Sequence, residues 1–237
     1  WALWHQVSYE FLVLLFAALQ AKKRIVLPPH RVAQLEQNLA SQHIYFLSRQ
    51  TFTDVNSNFV LDLSQNFLEQ AQIDFYTSGS TGEPKRIERT LAQLFKEVQG
   101  LDQTFCLTKQ VIALATVSHQ HIYGLLFKLL WPLFTGRSFY SPQLAFPEDV
   151  IAIQKNFAEF GLQNYVISSP ALLKRWTLDL KLVDSQAVFS SGGKLENGVR
   201  PLLNYTITEI LGSSETGGIA YRTEDESVWQ AFADVNI

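Results

Sequence analysis

Apolar residues recur along the chain in two alternating rhythms. A dense run from Tyr9 to Ala21 predicts a buried helix, followed after Lys22-Lys23-Arg24 by a short strand Ile25–Leu27 that stops at Pro28-Pro29. Val32, Leu35 and Leu39 mark one face of a second helix over Arg31–Leu39. Ile44–Leu47, Phe59–Leu63, Ile73–Tyr76 and Ile87–Arg89 read as strands, and Thr90 with Gln93 forms a capping box opening a helix to about Gln103. Val111–Thr116 has the continuous apolar, β-branched character of a strand buried on both faces. Ile122–Leu133, Phe146–Phe160 and Pro170–Trp176 then read as helices, alternating with strands at Ser138–Tyr140, Tyr165–Ser168, Ala187–Ser190 and Ile207–Leu211. Strands alternating with helices predict an α/β fold with largely parallel sheets flanked by helices, in which ligands sit at the carboxyl ends of strands.

Composition narrows the class. The 237 residues are 47% hydrophobic, 17% charged and 13% aromatic, which is enough for a large buried core and argues against intrinsic disorder. A net charge of −3 with no basic block makes nucleic acid an unsuitable partner. The single cysteine, Cys106, excludes an intrachain disulfide framework and fits a reducing, cytoplasmic location. The longest apolar run, Phe11–Leu19, is short of the roughly 20 residues needed to span a bilayer, and no Lys or Arg precedes it in Trp1–Glu10. No transmembrane segment or secretion signal is expected, and the run reads as a buried helix, with an interfacial helix as the alternative. Methionine is absent, even at position 1, so the sequence is expected to be a piece of a longer chain or to omit modified methionines.

Loops with unusual chemistry follow these strands. Thr77-Ser78-Gly79-Ser80-Thr81-Gly82-Glu83-Pro84-Lys85 offers hydroxyls, close backbone approach at its glycines and one cation, a composition suited to phosphate oxygens or equally to a flexible polar turn. It is not a Walker loop, because Pro84 rather than glycine precedes the lysine. Ser118-His119-Gln120-His121-Ile122-Tyr123-Gly124 carries two histidines, which a helix start with satisfied imidazoles explains better than a metal site without acidic neighbours. Ser190-Ser191-Gly192-Gly193-Lys194 fits a glycine-requiring turn after a strand. Leu211-Gly212-Ser213-Ser214-Glu215-Thr216-Gly217-Gly218 in isolation would suit a helix cap.

Taken in order, these strings resemble the adenylate-forming superfamily, which includes acyl-CoA synthetases, peptide-synthetase adenylation domains and firefly luciferase. Tyr76–Lys85 matches every position of that family's phosphate-binding signature. The resemblance implies that Thr77, Ser78, Gly79, Ser80, Thr81, Gly82 and Lys85 bind the phosphates of ATP, and that His121 borders the acyl-carboxylate pocket. It further implies that Gly192, Gly193 and Lys194 lie against adenine and that Gly212, Ser213 and Ser214 contact the nucleotide. Glu215 would hold Mg²⁺, and Lys85, His121 and Glu215 would be the catalytic set. Leu211 stands where the family usually has tyrosine, which removes an aromatic contact with adenine. The flavour is closest to bacterial AMP-ligases found beside fatty-acid or aryl-polyene genes. The implied chain, 1–237, is part of the large N-terminal AMP-binding domain, with the ribose-binding aspartate, hinge and small C-terminal domain outside it.

The implied activity is an ATP-dependent acid–thiol ligase. A carboxylic acid and MgATP would give acyl-AMP and pyrophosphate, and CoA or carrier-protein phosphopantetheine would accept the acyl group. An acyl carrier protein is thus a partner alongside the small acid. The alternative is a nucleotide-binding module without turnover. A serine hydrolase is disfavoured because no Gly-x-Ser-x-Gly elbow is present.

Overall fold

A computed structural model describes residues 1–47, 63–78, 84–224, 228–233 and 235. The chain divides into two compact units, Trp1–Phe95 and Lys96–Ile237.

In the first unit, helix α1 (Ser8–Gln20) buries Phe11, Leu15 and Leu19. It is followed by β1 (Ile25–Leu27), α2 (Ala33–Ser41) and α3 (Gln65–Gln70), the last capped by the Ser64 hydroxyl, which accepts from the Phe67 N–H. Strands β2 (Gln72–Ser78) and β3 (Pro84–Thr90) pair antiparallel, and β1 joins β2 in parallel to complete a three-stranded sheet. The fully buried Asp74 on β2 holds this sheet together: Arg24 donates to its two oxygens at 2.7 and 2.9 Å, and Arg86 donates at 2.6 and 3.0 Å. Charge-assisted, paired bonds of this kind offset the cost of burying the carboxylate.

The second unit is built on a seven-stranded sheet in the order β10-β9-β8-β7-β6-β4-β5. Strands β4 (Val111–Ala115), β5 (Ser138–Phe139), β6 (Gln163–Ser168), β7 (Ser185–Ser190) and β8 (Ile207–Ser213) pair in parallel. Strands β9 (Gly217–Arg222) and β10 (Gln230–Ala231) add antiparallel pairs. Helices α4 (Leu91–Phe105), α5 (Ile122–Gly124), α6 (Trp131–Thr135), α7 (Pro147–Glu159) and α8 (Pro170–Leu173) alternate with the strands. The central parallel strands β4 and β6 are buried on both faces. Leu114, Val166 and Val188 pack with Val150, Leu173 and Trp176, while Tyr165 and Phe189 join an aromatic cluster with Trp131. The expected α/β class with largely parallel strands is what the structure shows.

Several boundaries depart from the sequence reading. Ile44–Leu47 is not a strand but a segment in which Phe46 makes one isolated bridge to Ala2. The strand expected at Phe59–Leu63 lies, except for Leu63, outside the described residues. Helix α8 ends at Leu173 rather than Trp176. The two loops are also tighter than expected, because Thr77, Ser78, Pro84 and Lys85 belong to β2 and β3, and Gly212, Ser213, Gly217 and Gly218 belong to β8 and β9.

The helix expected at Ile122–Leu133 is interrupted by a π-helical segment, Leu125–Leu130. The Trp131 N–H reaches back five residues to the Leu126 carbonyl, and Pro132 after it has no N–H to offer the ladder. Tyr165 donates its hydroxyl to the Phe127 carbonyl at 2.7 Å, satisfying one group of the altered turn. Within this segment Lys128 is fully buried and donates to the carbonyls of Ser141 and Pro142 at 2.9 and 3.2 Å. Burial pulls its ammonium down to about 8. Above that value the unfolded chain binds more protons than the folded chain, so this lysine makes stability rise with pH until the ordinary lysine range is reached. Thermal unfolding of the wild type and Lys128→Met across about pH 7–10 checks this. The wild type should gain on the variant above pH 8, on top of a constant offset from the two carbonyls. A difference that stays flat with pH would contradict it.

Candidate functional site

The second unit places four loops at the carboxyl ends of neighbouring strands. β8 and β9 form a hairpin whose turn is Ser214-Glu215-Thr216. Ser213 and Thr216 bind each other across this turn, each backbone N–H donating to the other's hydroxyl at 3.2 Å. Gly217 closes it with φ of 72°, and the chain crosses so tightly that a Cβ on Gly212 would lie 2.3 Å from the Gly217 carbonyl oxygen. Only glycine fits at 212. Glu215 is exposed at the tip of the hairpin, and Ser214 beside it is half-buried.

A single buried carboxylate fixes the neighbouring segments. Glu209 on β8 accepts from Arg200 at 2.7 Å, from Arg222 on β9 at 2.9 Å and from the Leu195 N–H at 3.1 Å. It thereby ties the loop after β7 to the hairpin. Ser191 adds a second tie, its hydroxyl donating to the Ile210 carbonyl at 3.0 Å.

After β4 the chain turns through Ser118 to His121. His119 and Gln120 are buried, whereas His121 is exposed and sits at the N-cap of α5. Gly124 lies against this turn: a Cβ there would be 2.1 Å from the Ser118 carbonyl oxygen. The His-x-x-Gly spacing therefore has a packing reason, since the glycine lets the start of the helix rest on the loop that presents the histidine.

These loops surround a cavity of about 380 Å³. Val117, Ser169, Ser191 and Ser213 line it from the ends of β4, β6, β7 and β8, the crevice position expected for ligands of an open parallel sheet. Of the residues singled out from sequence, His121, Gly192, Gly212, Ser213 and Ser214 line the cavity. Gly193, Lys194 and Glu215 do not line it, and all three are exposed. Thr77, Ser78 and Lys85 lie on β2 and β3 of the first unit, and Gly79, Ser80, Thr81 and Gly82 fall outside the described residues.

Sequence reasoning missed Glu97, Phe127 and Phe232 as lining residues. Glu97 accepts the Gly218 N–H at 3.1 Å. It falls on the same face of α4 as the buried Leu94, Val98 and Leu101, and a carboxylate in the middle of an apolar stripe was the signal that could have found it. Burial pushes the Tyr123 phenol, another lining group, well above its ordinary range, so it remains protonated.

Comparison with known protein families matches residues 67–232 to the family described as AMP-binding enzyme. The chain belongs to that family. Among curated relatives it is 25% identical over 182 residues to a 4-coumarate–CoA ligase of Cereibacter sphaeroides, covering 70% of this chain and 41% of the relative. It is 34% identical over 76 residues to the mitochondrial malonate–CoA ligase of Bos taurus, covering 32% of this chain and 13% of the relative. Among solved structures, a malonyl-CoA ligase ternary product complex with methylmalonyl-CoA and AMP bound superposes with a TM-score of 0.76 at 18% identity, over 97% of this chain and 55% of that one. This last likeness is one of fold. The chain spans roughly half the length of that solved AMP-binding ligase and less than half of these curated relatives. Among the described residues no helix is long and apolar enough to cross a membrane.

The Gly124 contact gives a direct test of how this AMP-binding fold shapes the cavity. Gly124→Ala forces a methyl group into the Ser118 backbone, and overpacking of this kind costs about 1–3 kcal/mol. Thermal denaturation should show the variant destabilised. An unchanged unfolding midpoint would mean that the glycine is not there for packing.

Proposed function

We propose that the protein to which this chain belongs is an ATP-dependent acid–thiol ligase. The observation that carries the reading is that residues 67–232, which span all four loop strings, match a family of AMP-binding enzymes, and that His121, Gly192 and Gly212–Ser214 line one cavity at the strand ends. A carboxylate oxygen of the acid attacks the α-phosphorus of ATP, the bond to the β-phosphate oxygen breaks, and pyrophosphate leaves. The thiol of CoA, or of the phosphopantetheine on a carrier protein, then displaces AMP. We place the reaction in the cytoplasm, where ATP and reduced thiols are available.

The chain's own groups do the positioning. Backbone groups of Gly192, Gly193 and Lys194 lie along adenine, and Gly212, Ser213 and the Ser214 hydroxyl meet the ribose-phosphate side. His121 borders the reacting carboxylate. Hydroxyl and amide donors of Thr77–Gly82 and the Lys85 ammonium receive the departing pyrophosphate. Phosphoryl chemistry of this type depends on alignment and charge neutralisation more than on covalent catalysis. Glu215, an exposed carboxylate next to Ser214, suits a cation that takes one or two carboxylates together with substrate phosphates. Mg²⁺ held there would neutralise charge developing on the phosphates. The chain's length supports a second reading for residues 1–237 alone, nucleotide binding without turnover, since its relatives extend well beyond the matched segment.

Carboxylate-dependent ATP–pyrophosphate exchange by the full-length protein tests the ligase reading. Exchange that requires both an acid and Mg²⁺ is expected, and Glu215→Gln should raise the Mg²⁺ needed for half-maximal exchange by roughly tenfold or more. Absence of exchange with every acid would overturn the reading, and an unchanged Mg²⁺ requirement would remove Glu215 from the metal role.

A further inference from the structure

The part of the cavity that the nucleotide edges do not account for has a definite chemistry. Its remaining walls are dominated by Leu101, Ile122, Tyr123, Leu126, Phe127 and Phe232. Among the described residues no Lys or Arg lines it, and the one carboxylate that does is Glu97. One wall of the cavity is backed by packed core. Leu101 and Leu126 are buried, and Phe127 stands edge-on to Trp131 and Phe189 with ring centres 5.7 and 5.2 Å away. A cavity of about 380 Å³ that also takes part of a nucleotide leaves room for a compact acyl group rather than a long chain.

We propose, on the basis of the ligase reading above, that the activated acid is a monocarboxylate with a compact, uncharged apolar body, aromatic or short and aliphatic. Dicarboxylates are rejected even though one relative is a malonate–CoA ligase. The argument is one of desolvation and charge. A second carboxylate entering beyond His121 gives up hydration to apolar walls, meets no lining Lys or Arg among the described residues and approaches Glu97, and an anion in apolar surroundings is strongly disfavoured. A ring or short chain exchanges water for aromatic faces and gains by its burial. A long acyl chain exceeds the volume left beside the nucleotide.

Exchange assays on the full-length protein with size-matched acids test this. Benzoate against terephthalate isolates the second charge on one ring, hexanoate against adipate isolates it on one chain, and palmitate tests length. The expected result is kcat/KM at least 100-fold higher for benzoate or hexanoate than for its dicarboxylic partner, and at least 10-fold higher than for palmitate. Glu97→Gln retains an amide oxygen to accept the Gly218 N–H but removes the negative charge. Its benzoate-to-terephthalate ratio should fall at least tenfold, whatever happens to the absolute rates. Preference for either dicarboxylate or for palmitate would overturn the proposal while leaving the ligase reading standing, and an unchanged ratio in Glu97→Gln would overturn the role of its charge. Exchange with no acid at all would overturn the ligase reading and this inference with it.

Discussion

The Glu209 carboxylate is the constraint on which the arrangement of the cavity depends. It is buried on β8, and its side chain accepts from Leu195 and Arg200 in the connection after β7 and from Arg222 on the returning strand β9. A buried carboxylate that lost any of these partners would be costly, so the geometry is close to all-or-none. The consequence is that two loops far apart in sequence, Ser191–Lys194 and the Ser213–Gly217 turn, are held from behind by one anchor and need no contact with each other to keep their places.

Three further ties act in the same direction. Ser191 reaches the Ile210 carbonyl, Glu97 reaches the Gly218 amide, and Gly124 rests against the Ser118 carbonyl. In each case a residue that lines the cavity is held by a bond or close contact to a neighbouring element. The exposed elements, His121 and Glu215, are then presented by turns whose backbone is already fixed. This is the division of labour expected where binding groups sit on loops carried by a rigid parallel sheet.

Much of this was legible in the sequence, for reasons that differ by element. The central strands Val111–Ala115 and Tyr165–Ser168 announce themselves because both faces are buried and their residues are largely apolar. The capping box at Thr90 and Gln93 forms as its spacing requires, with bonds of 3.0 and 3.2 Å. The returning strand Gly217–Arg222 was not legible, since its two leading glycines carry no strand preference and serve instead the tight crossing at Gly212. Nor was the π-helical segment, because apolar spacing around Leu125–Leu130 fits an ordinary helix. The loop strings could be read one by one. That Gly192, Gly212 and His121 share a cavity while Lys194 does not is a product of tertiary packing, which no local string records.

On the ligase reading proposed above, the adenylate binds in the cavity at the ends of β4, β6, β7 and β8. Hydrogen–deuterium exchange of the protein with and without AMP tests it most directly, because backbone amides report position without relying on turnover. Slowed exchange concentrated at Ser191–Lys194, Gly212–Gly218 and the His121 turn is the predicted result. Protection by AMP that spares all three of these segments would contradict the assignment.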